Sequence, residues 1–304
     1  MLLKALGIIA SIVLVAFITL PIFGQGDDEV VRVDSSIVVM NATIRDASNR
    51  PVMGLHQTDF KIFDNGVRQQ IASFEAQEAP FAAVILFDTS GSMEPRISIA
   101  RSAAINFLDG LRGDDVAAIY KFDSKVEMVQ DFSASRDVTD KIFDLKARGM
   151  TVLNDAIYKA ALDLDKRTEK RKAIIVISDG ADTMSGHTTE KALKAALAAN
   201  VTIYTVDMST LETNMTDRRQ NQGVLRNFAE KTGGTFISTD SGKAMRDALK
   251  GIVDELSVQY TLAYEPSDLK HDGKWHSLEL RVARPNLWIR TRQGYNAPHD
   301  AKSK

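Results

Sequence analysis

Phe81-Ala82-Ala83-Val84-Ile85-Leu86-Phe87 and Ala173-Ile174-Ile175-Val176-Ile177 are unbroken apolar runs of strand length. A strand with one wet face alternates apolar and polar residues. A strand buried on both faces does not, as in a parallel sheet covered by helices. Val116 to Phe122, Val201 to Val206 and the short Phe236-Ile237-Ser238 are further strand candidates. Helical spacing fills the gaps. Ala100, Ala103, Ala104, Phe107, Leu108 and Leu111 make one stripe; Ala156, Ile157, Ala160, Ala161 and Leu164 a second; Met245, Ala248, Leu249, Ile252 and Leu256 a third. A fourth helix carries Leu193, Ala196 and Leu197, with Glu190 and Lys194 as an i,i+4 pair. Alternating β and α segments predict an α/β fold with a doubly wound, mostly parallel sheet. Such sheets bind ligands beyond the carboxyl ends of their strands, near the topological switch point.

Outward from this centre the pattern turns to β. Val30 to Arg45 is rich in Val, Ile and Thr and reads as one or two strands, followed by the turn cluster Asp46 to Pro51. Lys61-Ile62-Phe63 and Val67 to Phe74 flank Asp64-Asn65-Gly66, a hairpin signal because Asn and Gly tolerate positive φ. At the far end Leu278, Leu280 and Val282 alternate with Glu279 and Arg281; Ala283 to Asn286 turns, and Leu287 to Arg290 resumes an extended pattern. Each hairpin is too small to stand alone. The two flanks are therefore expected to pair as one small β-rich domain, with the chain ends close together.

Composition bounds the function. The chain has 304 residues, with Lys+Arg 38 against Asp+Glu 40, a formal charge of −2. That balance argues against a nucleic-acid binder, which carries a basic excess. At ~150 residues per domain the length suggests about two domains. Cysteine is absent, which excludes disulfides, thiolate metal sites and a cysteine nucleophile. At the start, Lys4 is followed by a nearly unbroken apolar run from Ala5 to Leu20, then Pro21, with small residues at Gly24 and Gly26. This reads as a secretory signal peptide over residues 1–24, with retention as a membrane tether the alternative. Either way the remainder is expected to be exported, to the periplasm, cell surface or medium. The expected segments are an N-terminal β segment over 25–79, the α/β domain over 80–257 and a C-terminal β segment over 258–304.

Three of the candidate strand ends carry oxygen donors. The first run ends at Asp88-Thr89-Ser90-Gly91-Ser92, and Gly91 allows a tight loop. The run at 173–177 ends at Ser178-Asp179-Gly180, and Gly149-Met150-Thr151 precedes the helix that starts near Asn154. Asp88, Ser90, Ser92, Thr151 and Asp179 are thus expected at one crevice. Hard oxygen donors without imidazole or thiolate select Mg2+, Mn2+ or Ca2+.

These residues resemble the metal-ion-dependent adhesion site (MIDAS) of von Willebrand factor A (VWA) domains, over roughly residues 80–257. Arg50-Pro51-Val52-Met53-Gly54-Leu55, Asp59-Phe60, Asp64-Asn65-Gly66, Ser178 to Thr183, Gln259 to Tyr264 and Arg292-Gln293-Gly294-Tyr295 resemble the exported VWFA-related Acidobacterial domain family. The resemblance implies a Rossmann-like VWA fold and a bound Mg2+, or Mn2+ or Ca2+. It implies direct contact from Ser90, Ser92 and Thr151, with Asp88 and Asp179 acting largely through water. An acidic residue of a protein partner would then complete the coordination, so binding rather than catalysis is implied. It also implies that metal coordination is coupled to movement of the helix at 241–258. One departure is Gly149-Met150-Thr151, where the family commonly has Gly-Gly-Thr.

Plainer readings stand beside these. Ser or Asp before a helix can be an N-cap. A hydrolase could pair Ser90 with His187 and Asp179, but no Gly-x-Ser-x-Gly elbow surrounds Ser90. His271 and His276 could hold a second metal, or belong to a solvated hairpin. Asp114, Asp115 and Asp182 read as loop or capping residues, and Gly233-Gly234 as a helix end. Trp275 and Trp288 are expected to pack the small β domain. Arg281, Arg284, Arg290 and Arg292 are expected on its wet face. The leading expectation is an exported, cation-dependent adhesion module that is not an enzyme. The alternative is a structural or assembly component with the same fold, whose contacts need no metal.

Overall fold

The computed structural model describes residues 37–76, 79–134, 147, 149–210, 213–238, 241–268 and 272–298. The expected leader, the start of the strand expected from Val30, and His271 lie outside them. In chain order the elements begin with β1 (Val38–Arg45), β2 (Phe60–Asp64), β3 (Val67–Gln69), β4 (Ile71–Ala76) and β5 (Phe81–Asp88). There follow α1 (Ile97–Asp109), β6 (Val116–Phe122), β7 (Val126–Ser133), α2 (Leu153–Asp165), β8 (Arg171–Ser178), α3 (Thr189–Ala198) and β9 (Val201–Asp207). The chain closes with α4 (Met215–Thr232), β10 (Phe236–Ser238), α5 (Gly242–Ser257), β11 (Tyr260–Tyr264), β12 (Trp275–Val282), β13 (Trp288–Arg290) and β14 (Gly294–Asn296).

The central sheet has six strands in the order β10-β9-β8-β5-β6-β7. Every residue of β5 is buried, and the pleat explains why the run is apolar throughout. Phe81, Ala83, Ile85 and Phe87 face a core shared with α1 and α5, whereas Ala82, Val84 and Leu86 face a second core with α2, α3 and α4. The stripe residues Ala100, Phe107, Leu249 and Ile252 fill the first core; Ala156, Ile157 and Ala196 fill the second, together with Phe228 of α4.

The fold-class expectation needs correction. Among the described residues there are three sheets, and seven of the eleven strand pairings are antiparallel. The chain is an α/β fold with three sheets paired mostly antiparallel, and a doubly wound, mostly parallel Rossmann-like sheet does not describe it. Parallel pairing is confined to β10–β9, β9–β8, β8–β5 and β5–β6. The physical reason is the weight of the flanks, whose eight strands meet by hairpins and by chain-end pairing, both of which run antiparallel.

The flank strands form β13-β1-β11-β4 and β14-β12-β2-β3. Their inner faces share one core that includes Met40, Ala42, Ile62, Tyr260, Leu262, Tyr264 and Leu280. β1 pairs with β11 (Val38 opposite Tyr264), and β12 pairs with β2 (Leu280 opposite Ile62). The Asn65-Gly66 hairpin forms as read, with φ of 47° and 81°. Two local expectations fail. The run from Val67 to Phe74 splits at Gln70 into β3 and β4, which belong to different sheets. The far hairpin does not close, because β12 pairs with β2 and β14 while β13 pairs with β1. The flank strands and the central sheet belong to one compact unit.

Candidate functional site

β5 and β8 run side by side with Phe87 opposite Ile177, so Asp88 and Ser178 end adjacent strands. Ser178 Oγ donates to Asp88 Oδ2 at 2.5 Å, and the Ser90 amide donates to Asp88 Oδ1 at 2.9 Å. The carboxylate of Asp88 thereby folds the chain back and sets the serine loop. Ser90 Oγ lies 3.2 Å from Ser92 Oγ. The Ser90 hydroxyl makes no capping bond to the helical turn that follows, so a plain N-cap does not account for it.

Two further loops are tied to this one by backbone bonds. Gly91 N donates to Gly149 O at 3.3 Å. Gly149 has φ of 86°, and a Cβ there would lie 2.7 Å from Ser124 Oγ, so the turn requires glycine. Thr183 N donates to Thr151 O at 2.9 Å, and Thr183 Oγ1 accepts from Thr151 N at 2.9 Å. Asp179 Oδ1 accepts from Ala181 N at 3.0 Å. The outcome is one crevice of about 500 Å3 whose lining includes Ser90, Ser92, Thr151 and Asp179. Asp88 lies beneath it, with no exposed surface. Met150 stands at the rim, 50% exposed.

Burial pushes the Asp88 carboxyl up to about 7. The hydrogen bonds from Ser178 and Ser90 oppose that push, and the charge of Asp179 adds to it. Two carboxylates, three hydroxyls and no cationic side chain form a donor set that suits a hard dication. Among the described residues, no group of three or more His, Asp or Glu is placed to hold a metal ion. The crevice depends on hydroxyls instead.

Residues that sequence reasoning passed over also line the crevice: Asp217, Gln220 and Asn221 from the first turns of α4. Nothing in their local pattern marks them, because the fold brings α4 there. Asp182 lines it too, and it keeps the capping role read for it. Its Oδ2 accepts from Asn154 N at 2.8 Å in the first turn of α2. Asp115 similarly accepts from the amides of Phe81 and Arg112. Gly233 ends α4 with φ of 83°.

Other candidates resolve differently. His187 Nδ1 is 2.5 Å from Asp155 Oδ1 and its ring stacks on Tyr158, so it is engaged away from Ser90. His276 is buried against Asp64 and Tyr295, not solvated. Trp288 is 77% exposed and Trp275 40%, so neither is core packing. Arg281 is exposed and paired with Glu279, whereas Arg292 is buried and Arg290 pairs with the buried Glu255.

No curated protein sequence matches the chain. Among solved structures it is similar to the von Willebrand factor type A protein from Catenulispora acidiphila (13% identity, TM-score 0.49, covering 88% of this chain and 76% of that one). It is also similar to the PilB minor pilin from Streptococcus sanguinis (13% identity, TM-score 0.46, covering 60% and 62%). A third is the pilus adhesin SpaC from Lactobacillus rhamnosus GG in its open conformation (12% identity, TM-score 0.48, covering 83% and 49%). The chain thus spans less than two thirds of the pilin and about half of the adhesin. Residues 83–181, which hold all five residues of the crevice set, match the von Willebrand factor type A domain family.

Proposed function

We propose that this chain is an exported structural or assembly component that works by binding a protein partner at the crevice beyond the ends of β5 and β8. The reading is of a binder and not an enzyme, since His187 is committed to Asp155 and not to a nucleophile. Export rests on the apolar leader; if that leader is kept, it tethers the protein to a membrane. One observation carries the assembly reading. The crevice groups satisfy one another: Ser178 and Ser90 bond Asp88, Ala181 bonds Asp179, and the hydroxyls of Ser90 and Ser92 are neighbours. Loops held in this way keep their shape by the chain's own hydrogen bonds, and contacts made on them need no metal.

A second reading is favoured by Asp88, a fully buried carboxylate next to a second carboxylate with no cationic partner. Ser90, Ser92 and Thr151, with Asp88 and Asp179, would hold Mg2+, or Mn2+ or Ca2+. The ion would supply an electrophilic site for an acidic residue of the partner. Capture of a partner from extracts of the source cell, in Mg2+ and in EDTA, decides between the readings. Equal capture supports the metal-independent contact; loss in EDTA supports the cation-dependent one.

A further inference from the structure

We propose that the cleft between α3 and the closing strand β14 is a binding site for a small carboxylate carried on an apolar body. The cleft has a volume of about 380 Å3, at the small end of ligand pockets, which run from about 300 to 1,000 Å3. Val38, Leu197, Ala198 and Ala297 give it largely apolar walls, and Lys194 adds a positive charge at its exposed rim.

Arg292 supplies the specific feature. Its side chain lines the cleft and is only 7% exposed. Nη1 is committed to the end of α3, donating to Leu197 O at 3.1 Å and Asn200 Oδ1 at 2.9 Å. Nε is buried and has no hydrogen-bond partner among the described residues. Among the described residues no aspartate or glutamate acts on this guanidinium, and burial pushes it down to about 10. The end of α3 contributes only partial negative charge, and the Tyr295 ring, 5.8 Å away, only its π face. A buried cation without a counter-ion is costly. A planar guanidinium with no carboxylate partner among the described residues matches a carboxylate in both shape and charge. The walls then suit a hydrocarbon or apolar peptide body.

Calorimetric titration of the full chain with octanoate tests this, with octanol as the neutral analogue of the same length. Octanoate is expected to bind with a Kd below about 1 mM and octanol at least tenfold more weakly, a difference of about 1.4 kcal/mol. Lys194→Ala should weaken octanoate at least threefold, and Arg292→Gln should abolish its binding. Ala198→Phe fills the cleft from an exposed position and should abolish binding with the melting temperature unchanged. It carries the test if Arg292→Gln fails to fold. N-acetyl-leucyl-leucine and its C-terminal amide tell a peptide terminus from a free acid as the source. Either acid binding in preference to its neutral analogue supports the proposal. Absence of binding by both acids, binding of each acid no tighter than that of its neutral analogue, or binding that survives Ala198→Phe overturns it.

Discussion

Glu255 and Arg290 form an ion pair that joins α5, which packs on the central sheet, to β13 at the edge of a flank sheet. Glu255 is 5% exposed. Arg290 binds Oε1, to which the Tyr204 hydroxyl also donates at 2.7 Å, and Arg45 Nη2 reaches Oε2 at 3.1 Å. Gln259 Nε2 in turn donates to Tyr204 at 3.1 Å. One carboxylate therefore ties β1, β9, α5 and β13 together. Burial pushes that carboxyl up, but Arg290, Tyr204 and Arg45 together more than offset this, so it lies below its ordinary value. Any displacement of α5 would have to break this cluster.

Replacing Glu255 by Gln leaves two cations facing a neutral amide. Breaking a buried pair in this way typically costs about 3–5 kcal/mol. The pH dependence has a definite sign. A carboxyl held below its unfolded value of 4.5 stabilises the fold above that pH, and the stabilisation is lost as pH falls. Urea midpoints at pH 7 and pH 3.5 should therefore converge between wild type and Glu255→Gln on acidification. A constant difference at both pH values would contradict the ion-pair account.

Asp88 has the opposite sign. Its carboxyl is pushed up from 3.8 to about 7. The fold gains from the protonated form below about pH 4, and that gain is lost as pH rises through 7. In chelator, the melting temperature should fall between pH 4 and pH 8. Asp88→Asn should flatten that slope and melt higher than wild type at pH 8. Added Mg2+ then separates the two functional readings. A ligand selective for the native state stabilises by RT ln(1 + [L]/Kd), so the cation reading requires wild type, and not Asp88→Asn, to melt higher in Mg2+.

What was legible in the sequence follows from local pattern. The two-sided burial of β5 and β8 is written in their unbroken apolar runs, and the loops after them carry the residues that meet at the crevice. Thr151 reaches the same crevice through backbone bonds from Gly91 to Gly149 and from Thr183 to Thr151, which no local pattern encodes. The partners of the flank strands were not legible either. β11 is wholly buried yet interrupted by Thr261, and β13 and β14 have three residues each, too few to show a period. β7 buries only Val129 and Gln130, so its alternation is lost. Arg281, Arg290 and Arg292 share an identity, but only packing decides which of them meets Glu279, which meets Glu255 and which lines a cleft.

Gly233 and Gly234 mark a close approach that tolerates no side chain. A Cβ on Gly234 would lie 1.9 Å from Ile203 O, which belongs to β9. Moving that carbonyl means moving a buried strand of the central sheet. Gly234→Ala is expected to cost several kcal/mol, in the range of severe packing defects, and to lower the melting temperature by about 10 °C or more. Gly251, inside α5 with nothing within 4 Å of its Cβ position, is the control. Gly251→Ala should stabilise by about 0.5–1 kcal/mol through helix propensity. Thermal melts of the two variants therefore move in opposite directions.

Asp64 plays in the flank core the part that Glu255 plays at the helix layer. The hydroxyls of Tyr264 and Tyr295 donate to its Oδ2 at 2.8 Å and 2.9 Å, and His276 Nδ1 lies 2.9 Å from Oδ1. These partners sit on β11, β14 and β12, so the carboxylate bridges both flank sheets from inside their shared core. Asp64→Ala would strand three buried donors at about 1–3 kcal/mol each before relaxation. Tyr264→Phe removes one donor and leaves two, and should cost about 1 kcal/mol. In the double variant there is no Tyr264 hydroxyl left to strand. Its loss in urea denaturation should therefore fall short of the sum of the single losses by at least about 0.5 kcal/mol. Strict additivity would mean that Asp64 and Tyr264 do not act as one network.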